Sequence, residues 1–210
     1  MIEVMEQINA VRRRVGQRTL DAGEAHSVII SQVYAVPIGD VWDACTNPDR
    51  IPRWFVPVTG DLKPGGRYQV EGNASGTIER CDPPNGFTAS WEFGGQTSWI
   101  EVRLAGEPQG GTRLELEHIT DPATPWAEFG PGAAGVGWDM GLMGLATHLA
   151  SGQSIGPEAG ADWMTSAAGR EFISQSSRRW READVAAGAD ETAAQAAADR
   201  TRVFYTGSGG

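Results

Sequence analysis

No stretch of this chain approaches the roughly 20 consecutive apolar residues that a membrane-spanning helix needs. The opening MIEVMEQINAVRRRVG, interrupted by Glu3 and Glu6, also lacks the continuous apolar centre of a secretory signal or membrane anchor. Cysteine is scarce: Cys45 and Cys81 are the only two, they form no C-x-x-C pair, and neither stands at ligand spacing from a histidine. That pattern suits a reducing cytoplasm, with a single disulfide left open. The three histidines, His26, His118 and His148, are isolated from cysteines and carboxylates, which argues against a metal site. Positive charge is short as well. Lysine plus arginine number 17 against 27 acidic residues, giving a net charge of −10, so a phosphate backbone would be repelled and nucleic acid is not an expected partner. The acid excess reads as solubilising charge. No nucleophile elbow, phosphate-binding glycine loop, kinase signature or dinucleotide fingerprint occurs, and no cofactor is implied.

What is present fits one domain with an appendage, since 210 residues exceed the usual size of a single domain without filling two. Val4, Ile8, Val11 and Val15 recur at helical spacing and predict an amphipathic helix over residues 3–16. Its far face would carry Arg12, Arg13 and Arg14, and it would lie on the domain or on a second copy. After a loop at Asp21 to Glu24, the β-branched run from His26 to Tyr34 predicts a first strand. Pro37 then breaks the chain into a short amphipathic helix, Ile38 to Cys45. Asn47-Pro48-Asp49 opens a second helical turn, closed on Arg53-Trp54-Phe55, because asparagine caps, proline suits the first helical position and aspartate favours the positive end of the helix dipole. Val41, Trp42, Ile51, Trp54 and Phe55 supply more apolar surface than two short helices can hide between themselves, so they must pack on something larger.

From Gly65 onward, GGRYQVEG, ASGTIERC, GFTASWEF, SWIEVRLAG and GTRLELEHI are separated by turn residues and predict five antiparallel strands, six with the first. Period-two alternation places Tyr68 and Val70, then Phe87, Ala89, Trp91 and Phe93, then Ile100, Val102 and Leu104, then Leu114, Leu116 and His118 on one face, with Glu92, Glu101, Glu115 and Glu117 on the other. A helix over residues 136–149 follows, with a stripe of Trp138, Leu142, Leu145 and Leu149. Gly141 and Gly144 inside it imply a packing reason, because each costs about 1 kcal/mol relative to alanine. Residues 151–160 read as a linker. Beyond it two alanine-rich helices are expected, the first stopped by Gly188 and the second capped by Asp190, docked through Trp163, Phe172, Ile173, Trp180, Phe204 and Tyr205, with the last four residues frayed.

Taken together, PIGDVWDACTNPDRIPRWF, the Gly65-Gly66 strand start, Gly76-Thr77-Ile78 before its proline turn, SWEF at Ser90 to Phe93, GGTRLELEH at Gly110 to His118 and GWDMGLMGL at Gly137 to Leu145 resemble the START-like (SRPBCC) helix-grip superfamily. Within it they are similar to the bacterial proteins related to the activator of the heat-shock-protein-90 ATPase. The resemblance implies an α+β fold in which a curved antiparallel sheet wraps a long C-terminal helix and leaves an apolar cavity. It covers residues 26–150, leaving 1–25 as an N-terminal helical extension and 151–210 as linker and helical tail. Such proteins are implied to bind a small hydrophobic molecule, and relatives in the wider superfamily include polyketide cyclases and proteins that confer antibiotic resistance by binding the antibiotic.

Fold alone does not fix function, so the candidates come from the pocket face. Tyr68, Val70, Trp91 and Phe93 on the strands, Trp126 and Phe129 on the segment after them, and Trp138 and Met143 on the helix are the candidate lining, because small-molecule sites are walled chiefly by aromatic and aliphatic groups. Aromatics at these spacings ordinarily fill cores, and Trp42, Trp54 and Trp91 also read as packing anchors. His118 could meet a ligand through a ring nitrogen or be a hydrogen-bonded core residue. Arg80 shares the parity of Gly76 and Ile78 and would point inward, unless a bulge before Pro83 turns it out and brings Cys81 in. Thr120 to Ala134 is the expected entrance lid. The expected function is capture of a lipid-like or aromatic polyketide-like ligand. A cyclase or hydrolase using His118, and a chaperone-associated interaction module, stand as alternatives; a homodimer through the N-terminal helix or tail is left open.

Overall fold

A computed structural model describes residues 3–124, 126–154 and 157–207; Pro125, parts of the expected linker and all but Gly207 of the expected frayed end lie outside the described residues. Helix α1 (Val4–Ala10) leads into eight strands: β1 (Arg12–Leu20), β2 (Gly23–Tyr34), β3 (Val58–Gly60), β4 (Arg67–Val70), β5 (Ser75–Asp82), β6 (Gly86–Phe93), β7 (Gln96–Gly106) and β8 (Thr112–Ile119). Between β2 and β3 lie α2 (Ile38–Thr46) and a 3-10 turn (Ile51–Arg53). After β8 come α3 (Trp126–Phe129), the long α4 (Gly132–Ser151), α5 (Pro157–Thr165), α6 (Ala167–Ala186) and α7 (Glu191–Thr206). All the strands pair antiparallel in one sheet, in the order β1-β2-β8-β7-β6-β5-β4-β3. This is the expected α+β helix-grip architecture.

The N-terminal expectation fails in its second half. The helix stops at Ala10, and Arg12–Leu20 forms a strand whose Arg12 pairs with Ser31 and whose Leu20 pairs with Gly23. Two interactions override the helical spacing. Strand β2 has a free edge that β1 covers, which satisfies a row of backbone groups the helix would have left open. Arg13 then turns back to donate from Nη1 to the carbonyls of Ile8 (3.0 Å) and Val11 (3.1 Å), capping the end of α1. The arginines alternate accordingly: Arg13 goes inward, whereas Arg14 and Arg18 pair with Glu115, Glu101 and Glu117 on the outer face of the sheet. The three-residue β3 also escaped prediction, and together with β1 it raises the expected six strands to eight.

The rest follows the chemistry of the chain. Asn47 Oδ1 accepts from the Asp49 amide (3.0 Å), opening the 3-10 turn as an Asx turn. In α4, Leu142 and Leu145 of the predicted stripe are buried against the sheet. Gly144 has its packing reason: a Cβ there would stand 2.3 Å from the Trp54 carbonyl oxygen, so only glycine lets the 3-10 turn lie this close to α4. The tail has three helices rather than two, because Ser166 accepts from the Gly169 amide and starts α6 afresh. Asp190 caps α7 as expected.

Helix α6 packs on α4 and β1, burying Phe172, Ile173 and Trp180. At the centre of that contact Asp139 of α4, wholly buried, accepts from Arg13 Nε (2.9 Å) and Nη2 (2.8 Å), from Trp180 Nε1 (3.0 Å) and from the Ser176 hydroxyl. The N-terminal strand and α6 are thus tied to one carboxylate of α4, three of the four bonds falling on Oδ2 and one on Oδ1. Trp180 reaches it only because position 135 is glycine, where a Cβ would lie 2.3 Å from the indole.

Candidate functional site

On the opposite side α4 does not close on the sheet, and a cavity of about 320 Å³ remains. Its floor is the inner face of the strands, with Tyr68, Val70, Ile78, Phe87, Ala89, Trp91, Ile100, Val102, Leu114 and Leu116. Trp138, Gly141 and Leu142 of α4 form the roof; Trp42 and Cys45 of α2, with Ile51, Trp54 and Phe55 around the 3-10 turn, form the side wall. The predicted face therefore does line a hollow.

The hydroxyls of this wall and the Trp54 indole are already committed to protein partners. The Tyr68 hydroxyl donates to the Ser90 carbonyl (2.6 Å), the Trp54 indole to the Ala44 carbonyl (2.8 Å) and the Thr46 hydroxyl to the Trp42 carbonyl (2.8 Å). Desolvation pushes the Cys45 thiol up to about 12, and burial raises the Tyr68 phenol, so both stay protonated near neutrality.

A second hollow of about 490 Å³ lies beyond Phe55, Trp91 and Trp138, which belong to both walls. Its own lining includes Phe93, Ser98, His118, Phe129, Phe204 and Tyr205. At the partition, Trp138 Nε1 donates to His118 Nδ1 (3.0 Å), which leaves the imidazole proton on Nε2. That nitrogen faces Ser98 Oγ (2.8 Å), and the Ser98 hydroxyl donates on to the Trp91 carbonyl (3.0 Å). Both ring nitrogens are engaged. Burial brings the His118 pKa down to about 4, so the ring is neutral at physiological pH and holds the tryptophan rather than offering a proton.

The other candidates divide. Tyr68, Val70, Trp91 and Trp138 line the inner cavity, whereas Phe93 and Phe129 line only the outer hollow. Arg80 faces out: the register of β5 and β6 shifts between Ile78 and Arg80, the guanidinium stands 3.5 Å from Glu101 on the outer face, and Cys81 takes the inward place. Met143 lines neither hollow, because it sits one residue, about 100° of helical turn, past Leu142. Trp126 lines neither as well; its indole stacks on His26 at 4.4 Å between centroids. The expected lid is fastened down. Arg200 Nη2 donates to the Ala127 carbonyl (3.2 Å) and the Thr201 hydroxyl to that of Phe129 (3.2 Å), so α7 holds α3. Trp42 and Trp54, read as anchors only, are wall residues too. Cys45 was legible: it stands three residues from Trp42, on the same face of α2.

A single curved antiparallel sheet closed by a long helix over an apolar hollow defines a START-like helix-grip protein. The match to a family model makes this narrower: the family described as activator of Hsp90 ATPase homolog 1-like protein covers residues 35–150, and the chain belongs to it. CalU16 from Micromonospora echinospora is similar over most of both chains. Its crystal structure is 39% identical, covering 83% of this chain and 98% of that one with a TM-score of 0.64. Its solution structure is 40% identical, covering 86% and 97% with a TM-score of 0.69. DynU16, described as a protein of the dynemicin biosynthetic locus, shares the fold at 22% identity, covering 61% of this chain and 48% of that one with a TM-score of 0.54. No curated protein matches the chain. No helix among the described residues is long and apolar enough to cross a membrane.

Proposed function

We propose that this protein binds a small hydrophobic molecule, lipid-like or aromatic and polyketide-like, in the cavity between α4 and the sheet, and that it sequesters or carries the molecule rather than transforming it. The observation that carries this reading is the inner wall itself, predominantly apolar, with the hydroxyls of Thr46 and Tyr68 and the indole N–H of Trp54 and Trp138 donated to protein acceptors. Such a site gains affinity from buried apolar area, about 25 cal/mol per Å², and has little with which to move protons. The cyclase or hydrolase alternative required His118 as acid or base, and both of its nitrogens are engaged. A role in handling or resisting a biosynthetic product fits the dynemicin biosynthetic locus of DynU16, which shares the fold.

Quenching of the cavity tryptophans by naphthalene tests the reading. Saturable binding is expected, and Ala89→Phe, which fills the floor beneath α4, should abolish it while leaving the fold intact by circular dichroism. Binding unchanged by that substitution would remove the cavity from the proposal.

A further inference from the structure

We propose that the outer hollow is a second compartment of the same site, with Trp138 as a movable partition. The ligand class would then be an elongated molecule with an apolar end for the inner cavity and a flat aromatic end bearing hydroxyl or carbonyl groups for the outer one. This deepens the binding reading and rests on it.

The two hollows are neighbours across Phe55, Trp91 and Trp138, so an indole that swings clear joins them. Trp138 is half-buried, and its indole is held by one hydrogen bond, to His118. Such a bond contributes little net free energy, so a ligand that buries apolar surface along the joined space can displace it. The compartments differ in character. The hydroxyls of the inner one are donated to backbone carbonyls, whereas Asn73, Gln96 and Thr124 bring amides and a hydroxyl to the outer one. Two of the most exposed large apolar side chains of the described residues, Phe93 at 59% and Phe204 at 68%, also belong to the outer wall, where an aromatic ligand would cover them. Phe204 comes from α7, which gives the tail a part in the site.

Two probes separate the compartments: naphthalene, short enough for the inner one alone, and 4-hydroxystilbene, long enough to reach both. The double variant Phe93→Ser, Phe204→Ser alters exposed side chains and should fold normally. It is expected to weaken 4-hydroxystilbene roughly tenfold, through lost apolar contact, and to leave naphthalene within about twofold. Trp138→Phe, which keeps an aromatic wall but has no N–H for His118, should speed 4-hydroxystilbene association severalfold. If 4-hydroxystilbene competes with naphthalene yet ignores the double variant, the outer compartment is not used and this inference falls while the binding reading stands. If neither probe binds, both fall together.

Discussion

The two sides of α4 are packed by opposite rules. Toward α6 the helix is solid: Gly135 admits Trp180 to contact distance, and Asp139 gathers Arg13, Ser176 and Trp180 into a buried polar knot. Toward the sheet, one helical turn further on, Gly141 and Leu142 face a hollow. An empty apolar space forfeits packing contacts, and a helix held only from that side would settle onto the sheet. The tail and β1 hold α4 from behind, so the cavity survives because the opposite face is fixed. On this view the helical tail, which the family match over residues 35–150 does not include, is part of what keeps the site open.

The knot is where the comparison breaks most easily. Asp139→Ala leaves the Arg13 guanidinium, 4% exposed, without its carboxylate. Loss of one partner of a buried ion pair costs about 3–5 kcal/mol, so urea unfolding should show a loss of that size and naphthalene binding should weaken in parallel. A variant that kept wild-type stability would show that α4 is not anchored there.

The cavity side has its own weak point in His118, and it responds to pH. Its folded pKa, about 4, lies below the ordinary imidazole value of 6.5, so the unfolded chain binds a proton that the folded ring refuses. Stability is therefore fully present above pH 6.5 and lost as pH falls toward 4. Protonation would also turn Nδ1 from acceptor into donor against the Trp138 indole. Between pH 7.5 and 4.5 this one group should remove about 2–3 kcal/mol. His118→Gln should lack that part of the slope, and subtracting the two unfolding profiles isolates it from the carboxylates. Equal slopes would mean that the ring is solvated and that the partition at Trp138 is loose.

The same contrast explains what could be read from the sequence. The apolar face of the strands and the stripe on α4 were legible because each follows one period; most of the strand face, with Trp138 and Leu142 of the stripe, lines or roofs the hollow, while Leu104, Leu145 and Leu149 pack in the core beside it. The errors fall where a non-local partner decides. Val11 and Val15 fit a helix, yet the free edge of β2 and the carbonyls capped by Arg13 made residues 12–20 a strand. Arg80 fits the inward parity, but a bulge of one residue reversed it. Trp126 was expected over the entrance from its proline- and glycine-rich setting, and stacking on His26 places it elsewhere. The Asp139 knot, whose partners all stand 37 or more positions from Asp139, left no local signal at all.

The smallest effects come from two glycines of α4 that differ only in what they face. A Cβ at position 144 would meet the Trp54 carbonyl oxygen at 2.3 Å, a backbone atom that cannot rotate away, so Gly144→Ala should cost about 1–3 kcal/mol as the 3-10 turn is pushed off the helix. At position 141 the nearest atoms are those of the Phe55 ring at 4.0 Å, an ordinary contact distance. Gly141→Ala should therefore keep the helix-propensity gain of up to about 1 kcal/mol. Its methyl group also enters the cavity wall, so a more stable protein should bind naphthalene less well. Thermal unfolding and naphthalene titration of both variants check this opposition. If Gly141→Ala tightened binding, the wall at that position would be short of contacts rather than shaped to leave room, and α4 would be underpacked there for want of a side chain instead of for a ligand.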